Sequence, residues 1–282
     1  MPERPDLDYA IPLFRESLAG SRIIGTQLHK PPVLRLALEG SLEDALGGAR
    51  IVDLSRHLHF VRFELDCENN AELIIAPMLA GSLSVHPPKE GSKRDRALTF
   101  SLEDDRELRY RDSVQMGKVY VIPKARYALV PGYEPMGIDV LDDEAFSFEA
   151  FAAIAKMRRD QVKVFLLDKS ALDSFGNAYA DEVLFAAGIH PKTFVRKLEE
   201  DDLKRLHAAI PRVLRDASAE IERRAPATDE KVRDFLNVRG KHKKPCPTCG
   251  TAIRKAGVRG FDAFFCPKCQ PETRKSGIVS WK

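Results

Sequence analysis

No apolar run in this chain approaches the roughly 20 residues that a membrane-spanning helix needs, so no transmembrane segment is expected. A secretory leader is not expected either, because Arg4, Asp6 and Asp8 put charge where its apolar stretch would begin. Internal repeats and low-complexity stretches are missing, which excludes a repeat array. Cysteine is scarce, at five in 282 residues, which fits a reducing compartment. These absences point to an intracellular protein, cytoplasmic and nucleoid-associated if bacterial. Charged residues at 31% and apolar ones at 44% match ordinary soluble globular chains, and the length suits two domains plus a small module.

Four of the five cysteines form two pairs, Cys246-Pro-Thr-Cys249 and Cys266-Pro-Lys-Cys269. A C-x2-C knuckle offers two thiolates from one turn, and two knuckles on a hairpin-sized spacer complete the tetrahedron that zinc prefers. Unrelated cysteines or two disulfides are the bland alternatives, but this paired spacing rarely arises without metal. With four protein ligands the zinc has no open position, so it holds a fold rather than doing chemistry. Cys67 is left over and reads as a buried or strand-edge thiol.

Charge is divided unevenly. Residues 239–282 hold eleven Lys and Arg against Asp262 and Glu272, a balance of +9, which leaves −6 on residues 1–238 of a chain whose total is +3. Cations on a small metal-pinned module are the footprint of a phosphate-backbone contact. A solvated surface or disordered tail is the alternative. It weighs less for Arg254, Lys255 and Arg259, which lie between the knuckles.

The first ~130 residues read mostly as strands by their alternation. Val61-Arg62-Phe63-Glu64-Leu65 alternates, as do Leu98, Phe100, Leu102, Leu108 and Tyr110, and Lys118–Pro123 is a further short strand. Turn chemistry separates them at Glu68–Asn70, Pro87–Gly91 and Glu103–Asp105. One helix precedes them, around residues 6–19, with Pro5 at its start and Asp6 and Asp8 in a first turn that favours anions. Pro12 inside it suggests a late start or a kink. From Phe146 the period becomes helical, with Phe148, Phe151, Ala152 and Met157, then a stripe from Leu203 to Ile221 interrupted by Pro211. Gly176 and Asn177 open a helix that Gly188 closes. Backbone N–H groups there suit a phosphate oxygen, although an ordinary Gly-Asn turn would look the same.

Taken together these segments resemble the formamidopyrimidine-DNA glycosylase / endonuclease VIII family. Pro2-Glu3-Arg4-Pro5-Asp6-Leu7-Asp8 is similar to the family's P-E-x-P-E-x-E. Phe175–Glu182, with Leu184-Phe185 and Ala187–Pro191, resembles its helix–two-turns–helix signature, Gly132-Tyr-Glu-Pro-Met136 stands where it has G-P-E-P-L, and the cysteine hairpin has its position and spacing. The resemblance runs from residue 2 to about 270. It implies an α+β fold: an N-terminal catalytic β-sandwich flanked by helices (1–130), a linker (131–145), and a helical DNA-binding domain (146–238). A C4 zinc finger (239–272) and a basic tail (273–282) follow.

The resemblance also implies a chemistry. With Met1 removed, Pro2 exposes a secondary amine that attacks the sugar C1′, expels a damaged base and forms an iminium whose elimination cuts the strand. An α-amino group titrates near ~7.7–8.0, so much of it can be neutral in the cell. Glu3 is the implied general acid/base. Lys163 and Asn177 fall where the family grips phosphates, and the implied partner of this monomer is double-stranded damaged DNA.

Departures qualify this. His59 stands on the family's catalytic-domain lysine, where a neutral imidazole could hydrogen-bond phosphate or base but lacks a permanent charge. It could equally be a plain strand residue. The void-filling loops become Ala76-Pro-Met-Leu-Ala-Gly81 and Asp112-Ser-Val-Gln-Met-Gly117, leaving Leu79, Gln115 and Met116 as wedges, and the arginine that pairs with the orphan base is missing. Residues 223–235 are shorter than the loop that caps 8-oxoguanine, and Phe261 takes the register of the finger's arginine, with Arg259 two residues earlier. An 8-oxoguanine specialist is therefore not expected. Two other functions compete: a damaged-DNA-binding protein with little or no glycosylase activity, and, with less support, a finger protein for RNA.

Overall fold

A computed structural model describes residues 2–173 and 175–272, so the expected basic tail lies outside the described residues. The chain divides into two compact units, Met1–Pro135 with Ala217–Val232, and Met136–Asp216 with Arg233–Lys282.

The first unit opens with α1 (Arg4–Leu18), which buries Leu7, Ala10, Ile11, Phe14 and Leu18 on one face. It starts at Arg4, earlier than the proline suggested, because Pro5 suits the first turn and Glu3 and Asp6 form a capping box. Pro12 is exposed, and the helix continues through it. Nine strands follow: β1 (Ile23–Leu28), β2 (Leu34–Leu36), β3 (Arg50–His57), β4 (Phe60–Asp66), β5 (Ala71–Ala76), β6 (Ser82–His86), β7 (Arg96–Leu102), β8 (Glu107–Arg111) and β9 (Lys118–Pro123), with a short α2 (Leu42–Leu46) between β2 and β3.

They make two sheets, ordered β1-β7-β8-β6 and β2-β9-β5-β4-β3, antiparallel except for the β2–β9 pair. One core lies between them: Ile23, Leu98, Phe100 and Leu108 from the first sheet meet Leu54, Phe63, Leu73, Ile75 and Val121 from the second. This is the expected β-sandwich. Strand β5 is buried at every residue, because Leu73 and Ile75 face that core while Ile74 faces a second cluster with Phe60, Tyr120, Val130 and Tyr133. A strand covered on both faces reads as a continuous apolar run, so alternation could not reveal it. Cys67 is half-buried in the turn before β5, where its sulfur accepts the Ala71 N–H at 3.1 Å.

The second unit holds α3 (Phe148–Met157), α4 (Val162–Leu167), α5 (Asn177–Ala187), most of α6 (Glu200–Arg224), and the hairpin β10 (Arg254–Val258) with β11 (Phe261–Phe265). The Ser147 side chain caps α3 by accepting the Ala150 N–H, and left-handed Gly188 ends α5. Pro211 is again carried inside a continuous helix. The finger is not a separate body: it clusters with the helices, and β11 packs on α5. The segment Ala217–Val232, expected in the helical domain, belongs to the first unit. Tyr9 donates to the Pro226 carbonyl at 2.9 Å, and Arg111 holds Asp229 at 2.6 Å. No described helix is long and apolar enough to cross a membrane.

Candidate active site and nucleic-acid interface

The N-terminal residues are tied down. Pro2, Glu3 and Arg4 are buried, and the Asp6 carboxylate accepts the Glu3 N–H at 2.7 Å. Asp8 receives Arg4 at 3.1 Å and Arg56 at 2.8 Å, so the end of β3 is pinned to the N-terminal half of α1. His59 lies in the tight turn that leaves β3, beside the Phe60 ring at 4.1 Å, and not within a strand. Pro2 lines a small cavity of about 30 Å³ with Asp6, Tyr9, Pro77, Leu83 and Lys231. Its cover is the segment after α6, held by Tyr9, by Arg111, by the Thr228 hydroxyl on the Leu83 carbonyl (3.4 Å), and by Lys231 on the Leu79 carbonyl (3.3 Å).

Two loops leave the same end of one sheet, since Ala76 and Lys118 are paired in β5 and β9. The first presents Leu79, 61% exposed. The second presents Val114, Gln115 and Met116, all exposed. Fully buried Asp112 shapes the second loop by accepting the N–H groups of Val114 (3.0 Å), Gln115 (2.9 Å) and Gly117 (2.8 Å). A Cβ on Gly117 would strike the Tyr110 hydroxyl at 1.8 Å, so only glycine fits there. Apolar side chains held in water by a buried carboxylate are suited to enter a base stack. Sequence reasoning singled out Leu79, Gln115 and Met116 as wedges, and the structure places all three exposed on these loops; it passed over Val114 and the hydrogen bonds of Asp112.

In the second unit the four cysteine sulfurs lie within 4.8 Å of one another, with Cys249 and Cys266 3.4 Å apart and Cys246 and Cys269 3.9 Å apart. Tetrahedral zinc with bonds of ~2.3 Å spaces its sulfurs by about 3.8 Å, so the set fits the ion. Thr251 holds the Cys249 thiol down at about 6, whereas burial pushes Cys269 up to about 12. Cys246 and Cys266 sit in an apolar cluster with Val238, Ile253 and Phe264. Structural zinc is the cofactor of this hairpin. At its tip Arg259 takes a left-handed φ of 48° in the turn, exposed to solvent, and Phe261 is 42% exposed.

The start of α5 gathers an ionic network. Lys163 on α4 is fully buried; it donates to Asp181 and, at 3.3 Å, to the Asn177 carbonyl. Burial lowers the Lys163 pKa and raises that of Asp181, each opposed by the partner's charge. Arg239 bridges Asp181 at 2.9 Å and Asp262 at 3.0 Å. The Asn177 amide donates to Asp262 at 2.5 Å, and Lys255 lies 3.5 Å from the same carboxylate. Burial alone would raise Asp262, but Arg239 leads the cations and donors that hold it below the usual carboxylate range. Glu182 fixes the following backbone by accepting the N–H groups of Asn237, Val238 and Arg239 at 2.8–2.9 Å. The structure thus brings Lys163 and Asn177 together, but with Lys163 sealed behind Asp181. The pairing of Arg239 with Asp181 and Asp262 was missed, because Arg239 and Asp262 entered only the charge balance of residues 239–282 and Asp181 only the Phe175–Glu182 signature. Asp181→Ala should leave the Lys163 ammonium buried without its partner and cost about 3–5 kcal/mol. Urea unfolding should show a lower midpoint, and an unchanged midpoint would mean the pair is not needed.

Three family models match the chain: the formamidopyrimidine-DNA glycosylase N-terminal domain over residues 1–119, the H2TH domain of the same enzymes over 134–226, and the zinc finger found in FPG and IleRS over 243–271. Among curated relatives, the formamidopyrimidine-DNA glycosylase of Heliobacterium modesticaldum is 33% identical, covering 90% of this chain and 94% of its own. That of Symbiobacterium thermophilum is 30% identical, over 92% and 85%. Among solved structures, Lactococcus lactis Fpg in complex with an oxidized pyrimidine containing DNA superposes with a TM-score of 0.85 at 26% identity, covering 96% of this chain and all of that one. The Thermus thermophilus protein reaches 0.81, also at 26% identity, over 96% and 99%.

Proposed function

Because this chain belongs to the formamidopyrimidine-DNA glycosylase family, we propose that it is a DNA repair glycosylase with abasic-site lyase activity, removing an oxidised, ring-opened or otherwise modified base from duplex DNA. Pro2 supplies the nucleophile. Its neutral amine attacks C1′ of the flipped nucleotide as the protonated ring oxygen departs, and the base then leaves with the amine's proton to give an iminium. That electron sink acidifies the C2′ position, so loss of a C2′ proton expels the 3′ phosphate and cuts the strand. Glu3 exchanges the protons of ring opening. His59, in the turn next to the Arg56–Asp8 tie, takes the place of a cation near the reacting sugar. Leu79, Gln115 and Met116, with Val114, fill the space the nucleotide vacates. Asn177 and Arg259 contact phosphates, and Lys163 acts through Asn177, whose carbonyl it holds.

One observation carries this reading. Pro2 is held at the start of a capped helix, in a cavity that it shares with Asp6 and with Pro77 at the root of the Leu79 loop. A second reading, damage binding without base excision, is favoured by the size of that cavity. At about 30 Å³ it is far too small for a base unless the segment Pro226–Val232 moves.

Borohydride trapping on duplexes tests both. Protein lacking Met1 should form a covalent adduct with abasic DNA, and protein extended at its N-terminus, whose Pro2 nitrogen is an amide, should not. An adduct with abasic DNA but none with any modified base would select a lyase that binds damage without excising it. Bound DNA with no adduct at all would overturn the nucleophile.

A further inference from the structure

The feature that phosphate gripping by Asn177 does not account for is the anion already beside it. Asp262 receives the Asn177 amide at 2.5 Å, the Arg239 guanidinium at 3.0 Å and the Lys255 ammonium at 3.5 Å. These donors come from the start of α5, from the segment that Glu182 holds, and from β10, and they converge on one carboxylate of the zinc hairpin. A carboxylate and a phosphodiester present the same pattern to such donors, two acceptor oxygens and one negative charge. We infer that Asp262 is a resident stand-in for a DNA backbone phosphate, filling the Asn177–Arg239–Lys255 seat in the free protein and giving it up when duplex DNA binds.

Three observations favour displacement over a permanent strut. First, Arg239 and Lys255 have contacts besides Asp262 that hold them in place. Arg239 keeps Asp181 at 2.9 Å, its backbone is fixed by Glu182, and both Arg239 and Lys255 lie over the Phe264 ring, at 5.0 and 5.5 Å. Second, the present arrangement is not fully satisfied. With its nitrogen turned to Asp262, Asn177 leaves Oδ1 buried without a hydrogen-bond partner among the described residues. Buried polar atoms without partners are uncommon, and here release of Asp262 would free the amide to reorient. Third, Asp262 is 35% exposed and borders an open cavity of about 490 Å³ lined by His242, Lys255, Gly257, Gly260 and Phe261, so it has room to turn away.

Asp262 then sets a uniform cost on DNA binding. A phosphate arriving at the seat meets a like charge and must displace it, whatever the sequence or lesion. The seat's net charge is also lower than its cations suggest, so fewer counterions are released on binding.

The inference rests on the duplex-DNA function proposed above, and equilibrium binding of the zinc-loaded protein to a duplex across a salt series separates the two. Asp262→Asn, which keeps the size, and Asp262→Ala, which removes the contact, should both bind about tenfold more tightly at low salt. Their plots of log affinity against log salt should be steeper by about 0.9, one phosphate's share. Zinc content and unfolding midpoint check that the hairpin is intact. Unchanged or weaker binding by both variants at an unchanged slope would overturn the inference and make Asp262 a strut for Arg239. Failure of the wild-type protein to bind any duplex would instead remove the DNA function itself.

Discussion

Glu3→Gln is expected to lower excision of a modified base from duplex DNA by about 10²–10⁴-fold, the range for loss of a positioned general acid/base. The substitution suits the question because it separates proton transfer from structure. Glu3 is the N-cap of α1, with its N–H donated to Asp6 at 2.7 Å. A glutamine keeps that backbone bond, the side-chain length and one carbonyl oxygen to accept from the helix, so the capped start of α1 should be retained. What it cannot do is give up and take back a proton. The effect should depend on the substrate. Base removal needs the furanose opened by protonation of its ring oxygen, whereas a pre-existing abasic sugar already equilibrates with its open aldehyde. Borohydride adducts with abasic DNA should therefore persist in Glu3→Gln while excision collapses. Excision at wild-type rate would remove Glu3 from the chemistry. Loss of both activities together with a lowered unfolding midpoint would mean that the variant reports capping alone.

What could be read from the chain alone follows from how local each signal is. The metal site needs only two turns and a hairpin, so Cys246, Cys249, Cys266 and Cys269 were legible from spacing, and their sulfurs do converge. Strands open on one face, such as Val61–Leu65, showed their alternation, whereas β5 is buried on both faces and did not. Proline rules misjudged α1, because a capping box at Glu3 and an exposed Pro12 let the helix start early and run on. Long-range ion pairs were the least legible. Arg239 and Asp262 are 23 residues apart, and Asp181 lies 58 residues before Arg239, so no window of sequence pairs them. The same holds for the segment after α6, whose ties beside Pro2 include Tyr9 and Arg111, 217 and 118 residues away.

Removal of zinc is expected to unfold the hairpin and with it most of the affinity for duplex DNA. The apolar cluster there is small, and two of its five buried members, Cys246 and Cys266, are metal ligands. Without the ion these become buried thiols crowded against two others, and the loop between the knuckles is left to the short β10–β11 ladder. Structural zinc contributes roughly 10–16 kcal/mol in small fingers at neutral pH, more than such a cluster can replace. The loss should spread, because β11 packs on α5 and carries Asp262, and Arg239 and Lys255 rest on Phe264 of the same strand. Cys246→Ser or a chelator should therefore remove hairpin amide protection from hydrogen exchange and flatten the salt dependence of DNA binding together. The pH dependence has a definite sign. Burial holds Cys266 and Cys269 protonated above their ordinary range, the latter up to about 12, so zinc must displace their protons on binding. Lowering the pH favours those protons, and a fixed chelator concentration should strip the metal faster at pH 6 than at pH 8. If duplex affinity and its salt slope survive complete metal removal, the basic hairpin is not the DNA contact. The grip would then have to come from the exposed loops carrying Leu79 and Met116 and from the start of α5.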